Sequence, residues 1–462
     1  MQAARDGGSF RDPAGHVYEV GDRIYRSVHA RAVDDYTFLR DSGFLARAIE
    51  QGWIVGSRET RDGPADANGA LVLEHERIPF VSYPYEWSFP TLKAAALFHL
   101  DLQLAALDAG VALSDASAYN VQFVGVRPKF IDVLSLRRYR DGEFWLGHRQ
   151  FCEQFLNPLL LRSELGIPFN PWYRGSLEGI PTADVARLLP KRKLLSWNIL
   201  SHVFLQAKMQ REAHGGARTE RAQGAMARRL PLAGLRGMLG QLRRWIARLA
   251  PADTGPTVWG SYADANTYAG EEATAKRDFV AAFAREVKPR LLWDLGCNTG
   301  AYSAAALGAG AQYVVGFDFD HGALERAYAR AEAEKLDFLP LFLDAANPSP
   351  FQGWRGLERK SLQARASADA IVALAFEHHL AIGRNVPLPQ VVSWLCELAP
   401  RGVIEFVRKE DPTIQQMLAL REDIFPDYTQ EAFEQLLRTN ARIVRSQQVS
   451  SAGRTLYWYD RS

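Results

Sequence analysis

The last 200 or so residues alternate regularly between short apolar stretches and helix-forming stretches. Runs rich in Val, Leu, Ile and Phe predict buried strands, and the Ala-, Glu- and Leu-rich runs between them predict helices. Strands separated by helices of this length run parallel, in a sheet that helices cover on both faces. The predicted strands span residues 290–296, 311–320, 337–345, 367–376 and 402–407. Two further apolar runs, 441–450 and 454–462, have no helix between them and predict an antiparallel hairpin, which gives an α/β fold with seven strands.

A glycine-containing loop follows the first of these strands, with the sequence Asp-Leu-Gly-Cys-Asn-Thr-Gly. Gly296 and Gly300 let the backbone turn sharply and approach a ligand closely, and Asn298 tolerates a left-handed backbone better than most residues. Ligands of such sheets bind at the carboxyl ends of the strands, where this loop lies. The spacing differs from the GxGxxG pattern of dinucleotide-binding loops. Asp294 at its start favours a ligand with positive charge over a pyrophosphate.

Acidic residues also end the next two predicted strands. Asp318 ends the second strand, where a carboxylate can accept hydrogen bonds from both hydroxyls of a ribose. Asp344 ends the third strand, where a side chain can meet an adenine amine. The loop and the two acids, in this order, predict a nucleoside site.

This ordered set resembles the class I S-adenosylmethionine-dependent methyltransferases, over about 200 residues from Trp259 to the C-terminus. The resemblance implies a Rossmann-like sheet, with S-adenosylmethionine held by Asp294, Gly296, Asn298, Gly300, Asp318 and Asp344. The stretches ALAFEHHLAIGRNVPL, IEFVRKEDP and REDIFPDYTQEAF are similar to a bacterial group of methyltransferases that includes rhizobial nodulation-associated proteins. That similarity implies no defined methyl acceptor.

Three polar residues follow the fourth strand, where the resemblance places the acceptor. They are Glu377, His378 and His379, and a neutral histidine there could act as general base toward a hydroxyl. The alternative is that one histidine packs in the interior and the other is solvated. The Asn/Asp-Pro-Pro-aromatic tetrapeptide of many amine methylators is absent from this position, which favours an oxygen acceptor.

A segment with several aromatic residues precedes the first strand. It contains Trp259, Tyr262, Tyr268 and Lys276. In this superfamily such a segment often covers the cofactor, and ordinary packing onto the sheet is an equal alternative.

The first 200 residues predict a different unit. A hairpin of residues 17–20 and 23–28 is followed by a predicted helix at 36–55, strands at 70–78 and 80–87, and a long helix at 89–110.

A polar motif follows that long helix. Asp115 lies five residues before Asn120, and Asp132 lies twelve residues after it. This spacing resembles the catalytic and metal-binding loops of protein-kinase-like and aminoglycoside-phosphotransferase-like folds. The resemblance implies an N-terminal α+β kinase-like domain in which Asp115 orients an acceptor hydroxyl and Asn120 and Asp132 hold Mg²⁺ beside ATP.

Two departures from the kinase pattern predict a degenerate site. No lysine precedes Lys93, so an arginine such as Arg58 would have to pair with the nucleotide phosphates. The first hairpin also has one glycine only, Gly21, and lacks a glycine-rich phosphate cover. A chance Asp-Asn-Asp spacing in an unrelated α/β unit remains an alternative.

Residues 208–249 are strongly basic, with ten Lys or Arg and two Glu. They predict an amphipathic helix between the domains, as a solvated linker rather than a membrane or nucleic-acid surface. The predicted domains are a flexible N-terminus at 1–15, a kinase-like domain at 16–205, a basic helical linker at 206–256 and a methyltransferase domain at 257–462.

Composition narrows the functional classes. The net charge is +2, and the three cysteines are too far apart in sequence for a CxxC pair or a zinc motif. No secretory leader and no apolar run long enough to span a membrane is evident, so a cytoplasmic location is expected. No RNA-binding module or aromatic-basic stripe accompanies the basic segment, which argues against a nucleic-acid partner.

The leading hypothesis is an S-adenosylmethionine-dependent methyltransferase of a small-molecule or carbohydrate-like acceptor, which the N-terminal domain binds or presents. The alternatives are a bifunctional kinase-methyltransferase and a pseudokinase-regulated binding protein.

Overall fold

A computed structural model describes residues 4–64, 69–209, 230–253, 269–419 and 421–462. The chain forms two compact units. The first unit comprises Met1–Phe123, Arg127–Thr254 and Phe351–Arg359, and the second comprises Val124–Val126, Gly255–Pro350 and Lys360–Ser462. Within the described residues, no helix is both long and apolar enough to cross a membrane.

The first unit contains a five-stranded antiparallel sheet of order β1-β2-β3-β5-β4. Its strands are β1 Ala4–Arg5, β2 Val17–Val20, β3 Arg23–His29, β4 Ser57–Thr60 and β5 Gly69–His75. The predicted hairpin is β2 and β3, which turn at Gly21 with a φ of 59°. Two short pairs follow, β6 with β9 and β7 with β8, formed by β6 Val111–Leu113, β7 Val121–Val124, β8 Arg127–Phe130 and β9 Leu136–Arg138.

Nine α-helices are described in the first unit: α1 Val33–Asp41, α2 Phe44–Glu50, α3 Phe89–Asp108, α4 His148–Phe151, α5 Asn157–Leu165, α6 Asn170–Gly175, α7 Thr182–Leu188, α8 Trp197–Ile199 and α9 Leu232–Arg248. Two π-helical turns lie at Cys152–Leu156 and Leu200–Leu205. The predicted helix at 36–55 is instead split into α1 and α2, because Gly43 adopts a left-handed φ of 71°.

The strand predicted at 80–87 does not form. Pro84–Glu86 is a buried 3₁₀ turn in which the Glu86 carboxylate accepts the Tyr83 backbone N–H at 2.9 Å. Proline lacks the backbone N–H that a strand donates to its neighbour, and it favours a turn. The apolar pattern of residues 80–87 therefore wrongly predicted a strand.

Residues 4–15, predicted to belong to a flexible terminus, contain a short strand, Ala4–Arg5, and a 3₁₀ turn, Gly7–Ser9. Ala4–Arg5 pairs with β2, and Asp6 caps a 3₁₀ turn by accepting the Gly8 N–H at 2.9 Å. The Arg11 guanidinium hydrogen bonds to Glu358 at 2.7 Å. The pairing of β1 with β2 could not be predicted from the polar, glycine-rich composition of these residues. It depends on a sheet whose other strands lie later in the chain.

The described part of the predicted linker belongs to the first unit. Helix α9 packs against α3 with an apolar face, and Arg243 of α9 hydrogen bonds to Asp101 of α3 at 2.8 Å. The buried side chains of that face are Leu235, Leu239, Leu242, Trp245 and Ile246. The predicted amphipathic helix therefore exists, but its apolar face completes the core of the first unit.

The second unit is a seven-stranded sheet of order β12-β11-β10-β13-β14-β16-β15. Its strands are β10 Leu291–Leu295, β11 Tyr313–Asp318, β12 Phe338–Phe342, β13 Ala370–Ala373, β14 Arg401–Phe406, β15 Arg442–Gln448 and β16 Thr455–Asp460. The first five are parallel, and β16 runs antiparallel to both β14 and β15. They lie at the positions that the apolar runs predicted.

Described helices of the second unit are α10 Ala269–Val287, α11 Ala301–Ala309, α12 His321–Ala333, α13 Glu377–Ala381, α14 Leu388–Leu398, α15 Pro412–Leu418 and α16 Gln430–Asn440. The chain leaves β10 toward β11 and β12 on one side and then returns to β13 on the other side. In sheets of this kind, ligands bind beyond the carboxyl ends of the strands at which the order reverses, here β10 and β13.

Candidate functional site

The loop after β10 has a left-handed backbone at three positions, two of which are glycines. Gly296, Asn298 and Gly300 have φ values of 79°, 48° and 76°. The backbone N–H of Gly296 donates to the Phe317 carbonyl of β11 at 2.8 Å. A Cβ on Gly300 would lie 2.5 Å from the Phe338 ring. Packing against Phe338 therefore requires glycine at position 300. Without a side chain at this position, a ligand can approach the loop backbone closely.

Asp318 connects the end of β11 to this loop. One carboxylate oxygen accepts the Asn298 N–H at 2.8 Å, and the other accepts the Asp320 N–H at 2.8 Å. A carboxylate has about four acceptor positions, and the Phe319 backbone N–H also stabilises its charged form. The side chain is half-buried, and this burial raises its pKa. The Asp318 carboxylate therefore still has acceptor capacity for a ligand hydroxyl.

Asp294 lies deeper, within β10. Its carboxylate accepts the Ser303 hydroxyl of α11 at 2.6 Å, and only 2% of the residue is exposed. Burial raises the pKa of Asp294 to about 7, and the charge of Asp318 contributes to that increase. The hydrogen bond attaches β10 to the helix that follows the loop.

Asp344 follows β12, the strand next to β11. The backbone N–H of Leu343 donates to the Asp318 carbonyl at 2.9 Å, so the two predicted nucleoside-binding acids lie on adjoining strand ends. The half-buried Asp344 carboxylate accepts the Ala346 N–H at 3.1 Å and lies 3.7 Å from the Arg384 guanidinium.

An exposed aromatic residue follows the first of these two acids. Phe319 directly follows Asp318 and is 55% exposed. The Phe319 ring lies 5.6 Å from the Phe342 ring, and the Arg384 guanidinium lies 6.0 Å from the centre of the Phe319 ring. Phe319 and Arg384 were not among the predicted site residues. Phe319 could have been found from the sequence, because it is an aromatic residue directly after an acid that ends a strand.

The three candidate acceptor-site residues differ greatly in accessibility. Glu377 is fully buried and accepts the Tyr428 hydroxyl at 2.6 Å and the Val407 N–H at 3.3 Å. Burial raises the pKa of Glu377 to about 8. His378 is 1% exposed, and neither ring nitrogen hydrogen bonds to a described protein atom. His379 is half-buried, and its ring lies 4.2 Å from that of His378.

Burial lowers the pKa of both histidines, that of His379 to about 4. Both imidazoles are therefore neutral near pH 7 and able to accept a proton, and His379 is the more accessible of the two. The structure thus brings all three predicted residues to the turn after β13 but leaves Glu377 and His378 in the interior.

A strained residue precedes that turn. Ala375 has a φ of 48°, and its backbone N–H donates to the Glu405 carboxylate at 2.9 Å. Glu405 in turn pairs with Lys276 of α10 at 2.9 Å. Lys276 is therefore an interior ion-pair partner, and Trp259, Tyr262 and Tyr268, named with it above, lie outside the described residues.

The N-terminal polar motif forms a second cluster. The Asn120 side-chain nitrogen lies 3.3 Å from the carboxylates of both Asp115 and Asp132. Burial, with the nearby charge of Asp132, raises the pKa of Asp115 to about 7. Pairing of β6 with β9 and of β7 with β8 brings these three residues together from two turns.

An arginine already neutralises this cluster. The Arg26 guanidinium of β3 lies 2.8 Å from Asp132 and also pairs with Asp12. Arg58, which the sequence analysis offered as the lysine substitute, is 72% exposed and pairs with Glu74 instead. Carboxylate oxygens suit Mg²⁺, but the Arg26 charge occupies the Asp132 oxygen that such an ion would use. The cluster as it stands does not fit Mg²⁺ with ATP.

The second unit has a strand order with a glycine loop after its first strand and acids at the ends of the next two, which is the order that the methyltransferase resemblance implied. The chain belongs to the family of nodulation protein NoeA. It is 48% identical over 461 residues to nodulation protein NoeA of Rhizobium meliloti (strain 1021), a match that covers 99% of this chain and 96% of that protein. No protein-family model matches the chain.

Solved structures similar to part of the chain include two methyltransferases. Magnesium protoporphyrin IX methyltransferase (ChlM) from Synechocystis PCC 6803, with bound SAM, is 19% identical over 41% of this chain and 80% of that chain, with a TM-score of 0.30. The N-methyltransferase NodS from Bradyrhizobium japonicum WM9 is 12% identical over 41% of this chain and 97% of that chain, with a TM-score of 0.31.

Proposed function

We propose that the second unit transfers a methyl group from S-adenosylmethionine to a hydroxyl of a small-molecule or carbohydrate-like acceptor, which the first unit binds or presents. The observation that carries the proposal is the half-buried Asp318 carboxylate. It ends β11, holds the glycine loop through the Asn298 N–H, and keeps acceptor capacity for a ligand hydroxyl.

The residues at this edge of the sheet suit the parts of the cofactor. Asp318 would accept the ribose hydroxyls, Phe319 offers an exposed ring face for the adenine, and Asp344 would accept from the adenine amine. The loop from Gly296 to Gly300 would allow the rest of the cofactor to approach the backbone closely. Acidic side chains favour a positively charged ligand. When bound, the cofactor would supply an electrophilic methyl group.

The protein's own contribution would be alignment, desolvation and proton acceptance. An acceptor hydroxyl must lie in line with the methyl group and be shielded from water. His379 would accept the hydroxyl proton, because it is neutral and the most accessible of the three candidates. Glu377 would hold the turn, through Tyr428 and Val407, rather than contact the acceptor.

The two alternatives depend on the first unit. A bifunctional kinase-methyltransferase would need Asp132 to hold Mg²⁺, and the Arg26 ion pair disfavours this. A pseudokinase-regulated binding protein is compatible with that ion pair, but it leaves the arrangement around Asp318 without a role.

Calorimetric titration with S-adenosylmethionine tests the proposal. Wild-type protein should bind, and Asp318→Ala should weaken binding by about 30-fold or more, since hydrogen bonds to a charged group contribute about 1.5–3 kcal/mol each. Glu332→Gln, a change at an exposed carboxyl of α12, should bind like wild type. Absence of binding by the folded wild-type protein would refute the proposal. A parallel titration with ATP and Mg²⁺ should give no heat, and saturable binding there would favour the bifunctional alternative.

A further inference from the structure

A cluster of two histidines and one cysteine lies in the helical part of the first unit. The Nε2 atom of His148 lies 3.0 Å from Nδ1 of His202 and 3.7 Å from Sγ of Cys152. One ligand atom from each of the three residues lies within 4.8 Å of those of the others. Cys152 and His202 are buried and His148 is half-buried, so the cluster has one side near solvent.

These distances are close to those of a tetrahedral metal site. With Zn–N bonds of about 2.0–2.1 Å and Zn–S bonds of about 2.3 Å, a tetrahedral ion separates two nitrogens by about 3.3 Å and a nitrogen from a sulfur by about 3.6 Å. The observed separations of 3.0 and 3.7 Å differ from these values by only a few tenths of an ångström. The third pair, His202 Nδ1 and Cys152 Sγ, lies within 4.8 Å and would have to close by up to about 1 Å to reach the tetrahedral separation.

The backbone around the cluster is irregular in two places. Cys152 begins one π-helical turn, Cys152–Leu156, and His202 lies within the other, Leu200–Leu205. Single π-turns inserted in helices are rare, cost hydrogen-bond geometry and occur frequently at functional sites. They place Cys152 and His202, which are 50 positions apart in sequence, beside the same His148 ring.

We propose that His148, Cys152 and His202 bind one Zn²⁺ ion, with a fourth position that a water molecule fills. Imidazole nitrogen and thiolate sulfur are both ligand types that Zn²⁺ binds. The thiol proton of Cys152 leaves to solvent as the metal–sulfur bond forms, so that binding releases one proton. The histidine whose ring N–H donates in the His148–His202 hydrogen bond moves that proton to its other ring nitrogen, which frees the first nitrogen for the metal.

The expected consequence is structural. The His202 ring stacks on Trp245 of α9 with a centroid distance of 6.0 Å, and the His148 ring contacts Trp145 at 5.7 Å. An ion at this point would join α4, the turn Leu200–Leu205 and, through Trp245, helix α9. It would also make the fluorescence of two tryptophans sensitive to the metal.

Dialysis against a chelator, then titration with Zn²⁺ and with Co²⁺, tests the site on the full chain. One Zn²⁺ per chain is expected, with a rise in the unfolding temperature. The Co²⁺ form should show the near-ultraviolet band of a cobalt–thiolate bond. Cys152→Ser should abolish that band and weaken Zn²⁺ binding by at least about tenfold, since even residues that only orient ligands contribute that much.

Cys396→Ser is the matched control, because Cys396 is also buried and lies in helix α14 of the other unit. It should keep the cobalt band and the zinc stoichiometry. His202→Gln should behave like Cys152→Ser. The absence of a cobalt–thiolate band in the folded wild-type protein, or a band that survives in Cys152→Ser, overturns the proposal, and the wild-type spectrum alone decides this if a variant fails to fold.

Discussion

The Asp318 carboxylate accepts the backbone N–H of Asn298 at 2.8 Å, so the acid that ends β11 directly holds the loop that follows β10. Asn298 has a left-handed φ of 48°, a conformation that costs an L-residue energy. The hydrogen bond offsets part of that cost. Loop shape and the proposed cofactor contact therefore depend on the same side chain.

Gly300→Ala should destabilise the second unit by about 2–4 kcal/mol. The new methyl group would lie 2.5 Å from the Phe338 ring, and the φ of 76° disfavours any residue with a Cβ. Gly308→Ala in α11 is the matched control, because a Cβ there meets no atom within 4 Å. It should stabilise the helix by about 0.5–1 kcal/mol. Urea denaturation measures both, and equal effects would contradict the packing argument.

Phe319→Ala should separate stability from binding. The ring is 55% exposed, so the free energy of unfolding should change by less than about 0.5 kcal/mol. Loss of a stacking surface for the adenine should weaken S-adenosylmethionine binding by about tenfold, as stacking on a base contributes about 1–3 kcal/mol. Phe351→Ala removes a ring that is 57% exposed in the other unit and should change neither quantity. Unchanged calorimetric affinity in Phe319→Ala would exclude adenine stacking there.

Glu377 should make stability decrease as pH rises. Burial raises its pKa to about 8 from an ordinary value of 4.5. Between these values the folded protein keeps a proton that the unfolded chain releases, so the free energy of unfolding falls with increasing pH. From about pH 5 to about pH 8, wild type should lose of the order of 2 kcal/mol more than Glu377→Gln. The glutamine oxygen can still accept from Tyr428 and Val407.

Chemical denaturation at several pH values measures that difference. Glu332→Gln, at an exposed position of α12, should keep the wild-type pH dependence. If the free energy of unfolding depends on pH in the same way for wild type and Glu377→Gln, the Glu377 carboxyl titrates normally in the folded protein.

The Arg26–Asp132 pair should show a strong energetic coupling. Arg26→Met removes the cation that lies 2.8 Å from Asp132 and should cost about 3 kcal/mol, because two carboxylates lose their partner. Adding Asp132→Asn should recover at least about 1 kcal/mol, as expected for residues in one network. A double-mutant cycle by denaturation measures this coupling. Additive effects of the two substitutions would mean that the ion pair contributes no stability.

Local patterns predicted the second unit well. The loop from Gly296 to Gly300 and the acids Asp318 and Asp344 could be located because each is defined by its position relative to one apolar strand. The structure places them on adjoining strand ends. Their contacts with a cofactor stay a prediction.

Long-range pairing could not be predicted in the same way. Arg26 was missed because only the folded chain brings it to Asp132, which is 106 positions away in sequence. The apolar face of α9 was recognised, but its partner α3 lies more than 100 residues earlier. The interior position of Glu377 and His378 depends on residues such as Tyr428, which no periodicity near β13 reveals.

The assignment of Phe351–Arg359 to the first unit has a consequence for synthesis of the chain. These nine residues lie between β12 and β13 of the second unit, and their Glu358 pairs with Arg11. A ribosome must therefore translate three of the seven strands of the second unit's sheet before the first unit has all of its residues. A gene cut near codon 256 would encode neither unit intact, so expression of the two halves as separate proteins should give a first unit that lacks the partner of Arg11.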